Sequence, residues 1–233
     1  MKPPRSADNE LILGLVSVSD RASQGIYEDK GIPALEAWCR KAVKTPVKIH
    51  KRLIADERFD IEKTLRELVD IVGCDLILTT GGMSVGEEDH IKPAVEAVGS
   101  LNVWRVRLKP GKPLAFGEVR GVPFIGCPGN PVAGFVVFLM MARPYLLRTM
   151  GLTDIDVKPM AVRADFDWLK PGDRQEFVRV RRNDEGGLDL YHTQNSQVLS
   201  SCAWADGLVD IPVGGTVRKG DMVSYYPFCQ FFA

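Results

Sequence analysis

The sequence predicts two parts, an α/β domain with a parallel sheet between two helix layers, followed by a small all-β domain. Two patterns carry this prediction: strand and helix patterns alternate up to about residue 80, and short strands with turn motifs fill the last third. The 233 residues are 45% hydrophobic and 26% charged, which is enough for one large domain or two smaller domains with buried cores.

The first part alternates strand and helix patterns. Three apolar or β-rich runs are predicted as strands: residues 11–18, 47–54 and 75–80. Pro33 begins a helix pattern, and a second runs from Ile61 to Val72, both with apolar residues at helical spacing. The third strand ends in Gly81-Gly82. This order predicts a parallel sheet covered by helices on both faces.

The pattern changes after residue 100. Shorter strands are predicted at 103–108, 113–119 and 122–127, before a long helix that begins at Pro131 and ends near Gly151. Five more short strands follow, at 162–166, 176–182, 188–192, 207–211 and 222–226. Their turn motifs predict a small β-barrel or sandwich. The expected organisation is a disordered lead (1–9), an α/β domain (10–152) and a C-terminal β domain (157–233).

Charge and cysteine usage exclude several classes of function. Thirty basic residues balance thirty acidic residues, so no general positive field would hold nucleic acid or an acidic membrane. The apolar run 131–142 is shorter than the ~18 residues of a membrane span and is predicted as a buried helix. Five scattered cysteines without a CxxC motif indicate a reducing cytoplasm. An anionic small molecule would therefore need a local binding cluster.

The segment TTGGMSVGEED, residues 79–89, follows a predicted buried strand. In open α/β sheets ligands bind at this end of the strands, and glycines let backbone amides approach a phosphate. A simple tight turn is the alternative, but Ser84, Gly86 and the acidic residues after them favour a binding site. Carboxylates beside a phosphate need a bridging cation such as Mg²⁺, for which Asp89 is the first candidate.

Asp56 follows the second predicted strand and is expected on the same edge of the sheet as Asp20 and Asp89. A helix-capping role is the alternative, because Asp at a helix start accepts backbone N–H groups. Asp60 is the better candidate for the cap, which leaves Asp56 available for a ligand.

Two further loops have the composition of anion sites. Lys109 and Lys112 flank a Pro-Gly turn, so two ammonium groups are expected to converge on a small oxyanion. Strand alternation would place Arg105 and Arg107 on the same face as Lys109, and a solvated sheet edge is the favoured explanation for these two arginines. The PGNP loop delivers Asn130 to a helix N-terminus, where the amides serve either an anion or an ordinary cap.

These motifs resemble the late enzymes of molybdenum cofactor synthesis. Between residues 10 and 80, GLVSVSDRASQGIYEDKGIPALEAW, RLIADE and DLILTTGG resemble the MogA-type molybdopterin adenylyltransferases. Between 79 and 228, TTGGMSVGEEDHIKP, LKPGKPLAF, GCPGNPVAGF, PGDRQEFVRV and NSQVLSS resemble the MoeA-type molybdopterin molybdenumtransferases, which include the gephyrin E domain. The resemblance implies a three-layer MogA/MoaB-like molybdopterin-binding domain followed by a MoeA domain IV-like β domain.

The resemblance also implies roles for individual residues. Molybdopterin would be bound by two loops, through Thr80, Gly81, Gly82, Ser84, Gly86, Gly129, Asn130 and Pro131. Asp56 and Asp89 would hold Mg²⁺ at the phosphates and, with Lys109 and Lys112, form the catalytic set. The positions that match molybdate contacts are Lys109, Lys112, Pro113, Arg174 and Ser196.

The leading hypothesis from this resemblance is insertion of molybdate into adenylylated molybdopterin with release of AMP. Adenylylation of molybdopterin by Mg·ATP is the alternative, and a non-catalytic molybdopterin-binding scaffold is the third. The expected partners are molybdopterin, a nucleotide, molybdate and further copies of the same chain, with neither nucleic acid nor membrane.

Overall fold

The structure is a computed structural model that describes residues 10–42, 46–83 and 90–232. The predicted disordered lead, 1–9, lies outside the described residues. The chain divides into two compact units. The first unit consists of the chain up to Val106 together with Pro113–Gly129 and Val137–Ile155. The second unit consists of Arg107–Lys112, Asn130–Val136 and the chain from Asp156 onward. Two segments that precede the predicted boundary at 152–157 therefore group with the second unit.

The regular elements follow the predicted order closely. The strands are β1 (Leu11–Val18), β2 (Val47–Ile54), β3 (Leu76–Gly81), β4 (Gly99–Arg105), β5 (Leu108–Lys109), β6 (Pro113–Val119), β7 (Val122–Cys127), β8 (Met160–Arg163), β9 (Gln175–Arg182), β10 (Leu188–Leu190), β11 (Gly207–Ile211) and β12 (Met222–Pro227). The helices are α1 (Asp20–Ser23), α2 (Gly31–Ala42), α3 (Arg58–Asp70), α4 (Ile91–Val98), α5 (Pro131–Val137), α6 (Arg143–Thr149) and α7 (Ser200–Trp204).

The first unit is built on a six-stranded sheet with the order β2-β1-β3-β7-β6-β4. The first four strands of this order are parallel, which confirms the predicted α/β class. The expectation of a wholly parallel sheet is wrong for β6, which pairs antiparallel with both of its neighbours, β7 and β4. Arg120 and Gly121 both have positive φ and form a two-residue turn between the paired residues Val119 and Val122. Such a turn reverses the chain, so β6 and β7 must be antiparallel.

Helices α3 and α4 pack on this sheet and contribute to its core. Ile61, Leu65 and Leu68 of α3 are buried at the helical spacing that the sequence predicts. Helix α4 was not predicted, although Ile91 and Val95 have the same spacing and are fully buried. Proline in the first turn of a helix removes no intrahelical hydrogen bond, so the IKP start of α4 is compatible with a helix.

The predicted strand 103–108 is wrong, because two separate elements occupy this stretch. Strand β4 ends at Arg105 after two irregularities in its pairing with β6. Leu108 and Lys109 form the short strand β5, which pairs in parallel with β9 of the second unit. The predicted alternation of Arg105, Arg107 and Lys109 on one face therefore does not hold.

The long predicted helix is continuous from Pro131 to Thr149, with a π-helical turn at Phe138–Ala142 between α5 and α6. Pro144 follows that turn and has no backbone N–H to continue the α-helical pattern, which accounts for the local widening. Among the described residues, this helix is long and apolar enough to cross a membrane by length and composition. More than half of the apolar window is buried inside the protein, as in a core helix, so this is weak evidence for a span.

The second unit is an antiparallel sheet with the order β10-β9-β11-β12-β8, and β5 pairs with β9 beside that path. A bridge between Ala164, just after β8, and Leu188, at the start of β10, joins the two edges of the sheet. Its core includes Val178, Val209 and Tyr225. The predicted small barrel-like β domain is confirmed, and α7 is an element that the sequence reading did not include.

Candidate functional site

The first candidate region is the carboxyl end of the parallel strands in the first unit, where ligands bind in open α/β sheets. Strand pairing places Gly81 beside Val18 of β1 and Thr80 beside Cys127 of β7. The TTGG and PGNP motifs therefore leave the sheet from neighbouring strands, β3 and β7. We call this region, composed of Asp20, Asp56, Thr80, Gly81, Gly82 and Gly129, the rim.

The centre of the rim consists of glycine residues, so its backbone carries no side chains. Gly81 has a φ of +86°, and a Cβ there would lie 2.1 Å from the carbonyl oxygen of Val18. A Cβ on Gly129 would lie 2.9 Å from the Cα of Gly81. Both positions require glycine, because the two loops approach each other more closely than any side chain allows. In nucleotide sites, glycine-rich loops of this kind let a phosphate approach the backbone amides.

Two aspartates lie at the rim, as expected from the positions of β1 and β2. The backbone N–H of Asp56 donates to Oδ1 of Asp20 at 2.7 Å. Oδ1 of Asp56 is buried and lies 3.2 Å from the position that a Cβ on Gly82 would take. The remaining predicted residues of this region, Ser84, Gly86 and Asp89, lie outside the described residues.

The expected helix cap at Asp60 is wrong. Glu57 occupies the N-cap position of α3 without a side-chain hydrogen bond, and Asp60 lies within the first helical turn. A carboxylate there interacts favourably with the positive end of the helix dipole but caps nothing. Asp56 is thus outside the helix, at the rim.

The donor chemistry of the rim suits Mg²⁺ in part. Among the described residues, no group of three or more His, Cys, Asp or Glu side chains could hold a metal ion. Mg²⁺ in phosphate sites needs only one or two carboxylates, since phosphate oxygens and waters complete its octahedron. The carboxylate of Asp56, which is half-buried with Oδ1 beside the glycine pair, fits one such ligand.

Sequence reasoning gave no role to Asp29, which the structure places beneath the rim. Its carboxylate accepts hydrogen bonds from the hydroxyl of Ser17 at 3.0 Å and from the backbone N–H groups of Gly31 and Ile32 at 3.3 and 3.1 Å. Asp29 therefore caps α2 and ties the loop to β1, a structural role. The sequence signal was available, because Asp29 stands two residues before the first residue of α2.

The second candidate region lies in the second unit, at the KPGK turn. The ammonium of Lys109 forms an ion pair with Oε2 of Glu176 at 3.0 Å, and the Glu176 side chain is only 7% exposed. Lys112 is exposed, and Pro113 is half-buried at the start of β6. Two converging cations were expected from the sequence, whereas the structure assigns one of them a carboxylate partner.

Asn130 is the second polar group of this unit that the sequence singled out. Its backbone carbonyl accepts from the N–H of Gly134 at 2.8 Å, so Asn130 stands at the start of α5. The side chain does not cap the helix: Nδ2 donates to Oγ of Ser196 at 3.2 Å, and the buried Oδ1 has no hydrogen-bond partner among the described residues. An ordinary N-cap would use that oxygen on the helix amides. The structure thus favours a ligand role and joins two predicted site residues.

The predicted arginine of the β domain, Arg174, is partly exposed and lies 3.6 Å from the exposed carboxylate of Asp173. Arg179 is very different, being 1% exposed and the largest fully buried side chain described. Its Nε donates to Oγ of Ser201 at 3.2 Å, and its Nη2 donates to the carbonyl of Asn195 at 3.3 Å. Burial lowers the pKa of Arg179 below its ordinary value.

Arg179 therefore supports the loop that carries Ser196, and through Ser196 this loop reaches Asn130. We call Asn130, Arg179, Asn195, Ser196 and Ser201 the Arg179 cluster. Among the described residues, no carboxylate forms an ion pair with this arginine. A buried guanidinium whose partners in the described chain are neutral acceptors retains its positive charge for an oxyanion. Sequence reasoning missed Arg179, although an arginine between Val178 and Val180 in a buried strand was a visible signal.

A cavity of about 570 Å³ elsewhere in the second unit contains none of the predicted residues. Its lining comprises Asp165, Phe166, Asp189, Leu190, Tyr191, His192 and Trp204. The Asp165 carboxylate accepts two hydrogen bonds from Arg163 and one from Asn183, which lower its pKa to about 2. That carboxylate is committed to neighbours within the protein, so the cavity offers little free chemistry.

Three cysteines are buried thiols with raised pKa values. All five are free thiols, and Cys39, Cys74 and Cys127 are buried. Burial raises the pKa of Cys39 and of Cys127 to about 12 and that of Cys74 to about 11. These three side chains stay protonated at neutral pH, so thiolate catalysis by them is excluded.

Two family models match this chain. The model described as "Probable molybdopterin binding domain" matches residues 14–148, more than half of the chain, and the model "MoeA C-terminal region (domain IV)" matches residues 161–228. The rim and the Asn130 loop fall within the first match, and Arg174, Arg179 and Ser196 fall within the second.

Curated relatives agree with both matches. The chain is 54% identical over 90 residues to the molybdopterin adenylyltransferase of Escherichia coli strain K12, covering 39% of this chain and 46% of that protein. It is 31% identical over 182 residues to the molybdopterin molybdenumtransferase of Haemophilus influenzae, covering 76% of this chain and 45% of that protein. The chain therefore spans about half the length of the curated relatives it matches.

The fold has a solved counterpart in the crystal structure of a molybdopterin biosynthesis MoeA protein from Pyrococcus horikoshii. The TM-score is 0.73 at 21% identity, and the match covers 94% of this chain and 55% of that one. This similarity supports the fold assignment. From the family match over residues 14–148, the chain belongs to the molybdopterin-binding domain family of molybdenum cofactor biosynthesis, here joined to a MoeA-type C-terminal region.

Proposed function

We propose that this protein inserts molybdate into adenylylated molybdopterin and releases AMP, a late step of molybdenum cofactor synthesis. The observation that carries the proposal is Arg179, which is buried without a carboxylate partner in the part of the chain that the structure describes and is held against the Ser196 loop within the MoeA-type region. A cation without an internal anion is costly to bury, and an oxyanion ligand would offset that cost. Molybdate and a phosphorylated substrate are such ligands.

Each predicted residue has a task in this reaction. The backbone around Gly81, Gly82 and Gly129, with Thr80, Ser84, Gly86 and Pro131, would bind the pterin and its phosphate. Lys109, Lys112, Arg174, Arg179 and Ser196 would offset the charge of molybdate, with Pro113 and Asn130 shaping the contact. Asp56 and Asp89 would hold Mg²⁺, which when bound neutralises phosphate charge. The protein thus contributes positioning and electrostatics more than covalent catalysis.

The experiment is an AMP-release assay with the purified chain. Adenylylated molybdopterin and Mg²⁺ are supplied with or without molybdate, and AMP is quantified by chromatography. We expect AMP release that depends on molybdate. If saturating substrate and molybdate yield no more AMP than a reaction without protein, the insertion proposal is wrong.

Adenylylation of molybdopterin is the second candidate function. The observation that favours it is the 54% identity to a molybdopterin adenylyltransferase, together with Asp56 at a glycine-lined rim. The discriminating assay supplies Mg·ATP and molybdopterin without molybdate and measures AMP transfer to the pterin. Transfer without molybdate would favour this function, and its absence alongside molybdate-dependent AMP release would favour insertion.

A non-catalytic molybdopterin-binding scaffold is the third candidate. Tight molybdopterin binding without either turnover would support it. Asp89→Asn discriminates: if this change abolishes a reaction of the wild-type chain while circular dichroism is unchanged, the scaffold hypothesis is wrong. We further propose a homo-oligomer in a reducing cytoplasm, supported by the free thiols; sedimentation velocity would test the oligomeric state.

A further inference from the structure

Glu176 is an acidic residue in a position where a sheet normally carries an apolar side chain. It lies on β9, with its backbone paired to Lys109 of β5 on one side and to Ile211 of β11 on the other. Its side chain is 7% exposed. A buried carboxylate is unfavourable unless its charge is paired, and Lys109 at 3.0 Å is the cation that pairs with it.

The ion pair is asymmetric, because the Lys109 side chain is 44% exposed. One N–H of the ammonium is committed to the buried carboxylate, which leaves two donors on the exposed side. Lysine has a flexible four-carbon stem, so an unpaired ammonium would sample many positions. Glu176 thus holds the ammonium in one place while leaving it able to contact an anion.

Gly172 supplies the space that the carboxylate needs. A Cβ at Gly172 would lie 2.3 Å from Oε1 of Glu176, whereas the nearest atom outside Glu176 is the carbonyl oxygen of Arg174 at 3.7 Å. Any side chain at position 172 would therefore displace the carboxylate and leave the surrounding backbone without a clash. The Glu176 carboxylate therefore occupies space that is available because residue 172 has no side chain.

The turn is also fixed from its backbone. The N–H of Gln175 donates to the carbonyl of Arg107 at 3.0 Å, and Nη2 of Arg107 donates to the carbonyl of Asp173 at 2.8 Å. The N–H of Gly214 donates to the carbonyl of Gly172 at 2.9 Å. Because these hydrogen bonds hold the backbone of the turn without the Lys109–Glu176 ion pair, the main effect of the ion pair is on the position of the Lys109 side chain.

We infer that Glu176 is a positioning residue, which fixes the Lys109 ammonium for an oxyanion such as molybdate; the choice of molybdate rests on the proposed function. Removing its charge has two opposite effects. The positive potential at the turn increases, which favours anion binding, while the ammonium loses its fixed orientation. The kinetic signature is a lower kcat without a higher KM for molybdate.

Two substitutions break the same contact in different ways. Glu176→Gln removes the charge and keeps the shape, whereas Gly172→Ala keeps both charged residues and displaces the carboxylate. Glu185→Gln is the matched control, because Glu185 is an exposed glutamate of the same unit. The measurements are molybdate-dependent kcat and KM, and the acetylation rate of Lys109 relative to Lys112 by an N-hydroxysuccinimide ester, read by mass spectrometry.

We expect both variants to raise the relative acetylation of Lys109 several-fold and to lower kcat about tenfold with KM unchanged or lower. Glu185→Gln should match the wild type. Unchanged acetylation of Lys109 in Gly172→Ala would overturn the inference, as would a higher KM with unchanged kcat. If Glu176→Gln does not fold, Gly172→Ala decides. If the wild type releases no AMP, the proposed function fails, and the acetylation rates still decide whether Glu176 positions Lys109.

Discussion

The rim of the first unit and the Arg179 cluster of the second unit bring polar groups together by different means. At the rim, glycines allow backbone segments to approach within distances that exclude a Cβ. In the Arg179 cluster, side chains hold one another: Arg179 supports the Ser196 loop, and Ser196 contacts Asn130. The rim should therefore be sensitive to any added atom, whereas the cluster should depend on particular functional groups.

The largest expected effect is at the rim. Gly81→Ala introduces a Cβ 2.1 Å from the Val18 carbonyl oxygen at a positive φ, so we expect a loss of at least about 3 kcal/mol in the free energy of unfolding. Urea unfolding measures it. Gly25→Ala is the control, because Gly25 has a similar φ of +73° but nothing within 4 Å of its Cβ position. It should cost about 1–2 kcal/mol. If both variants lost the same free energy of unfolding, the short distance to the Val18 carbonyl would not be the reason that residue 81 must be glycine.

Arg179→Met tests whether the cluster exists for stability or for a ligand. The substitution removes the cost of burying a cation that has no carboxylate partner among the described residues, but it also removes the hydrogen bonds to Ser201 and Asn195, so these opposing effects should change the free energy of unfolding by less than about 2 kcal/mol. Molybdate-dependent AMP release should fall by about 100-fold, since the charge facing the oxyanion is lost. Arg174→Met, at a partly exposed position, should have a smaller effect. A loss of stability above about 3 kcal/mol would make Arg179 a structural residue instead.

Ser201→Ala tests the internal support of the cluster. The Ser201 hydroxyl accepts from Nε of Arg179 and donates to the carbonyl of Val198 at 2.6 Å, and the residue is fully buried. Its loss leaves the buried Nε of Arg179 without this acceptor, whereas the Val198 carbonyl keeps the backbone N–H of Ser201, so we expect a cost of about 1–3 kcal/mol by urea unfolding. Ser200→Ala, at the exposed neighbouring position, should stay within about 0.5 kcal/mol of the wild type. Similar values for both would show that the buried hydroxyl is dispensable.

The smallest expected effect is on the pH dependence of stability. A side-chain contact that involves a titrating carboxylate depends on pH, whereas the backbone clearance at the rim does not. The pKa of Asp165 is lowered from 3.8 to about 2, chiefly by the hydrogen bonds from Arg163. A carboxyl group with a lowered folded-state pKa stabilises the protein above its unfolded value and loses that contribution as the pH falls through the folded value. The urea midpoint of Asp165→Asn should therefore lie below that of the wild type above pH 3.8 and converge with it towards pH 2. A constant difference would contradict the linkage.

Much of the fold could be predicted from the sequence, because buried strands and amphipathic helices leave periodic patterns. Strands β1 and β2 and the apolar face of α3 are where these patterns predict them. The direction of β6 was harder, since it depends on the two-residue turn at Arg120-Gly121. Strand β5 could not be predicted, because two residues have no period and their partner β9 lies far along the chain.

The candidate sites follow the same division. The TTGG and PGNP loops could be recognised because glycine at a strand end has few other uses. Glu176 could not be recognised, because its role depends on Lys109, which is 67 residues away in sequence and adjacent through strand pairing. Arg179 could not be recognised with certainty, because arginines in a β domain usually face solvent and its position between Val178 and Val180 was the one local signal of its burial.

Residues 107–112 belong to the second unit although they lie within the first part of the sequence, and this affects how the protein could be divided or recombined. A fragment beginning at Asp156 would lack the short strand beside β9 and would bury Glu176 without its cation. Exchange of a C-terminal domain between relatives would therefore preserve an intact barrel only if this small upstream piece travelled with it. Because Asn130–Val136 also belongs to the second unit, a cut at the linker alone would separate two segments from the rest of that unit.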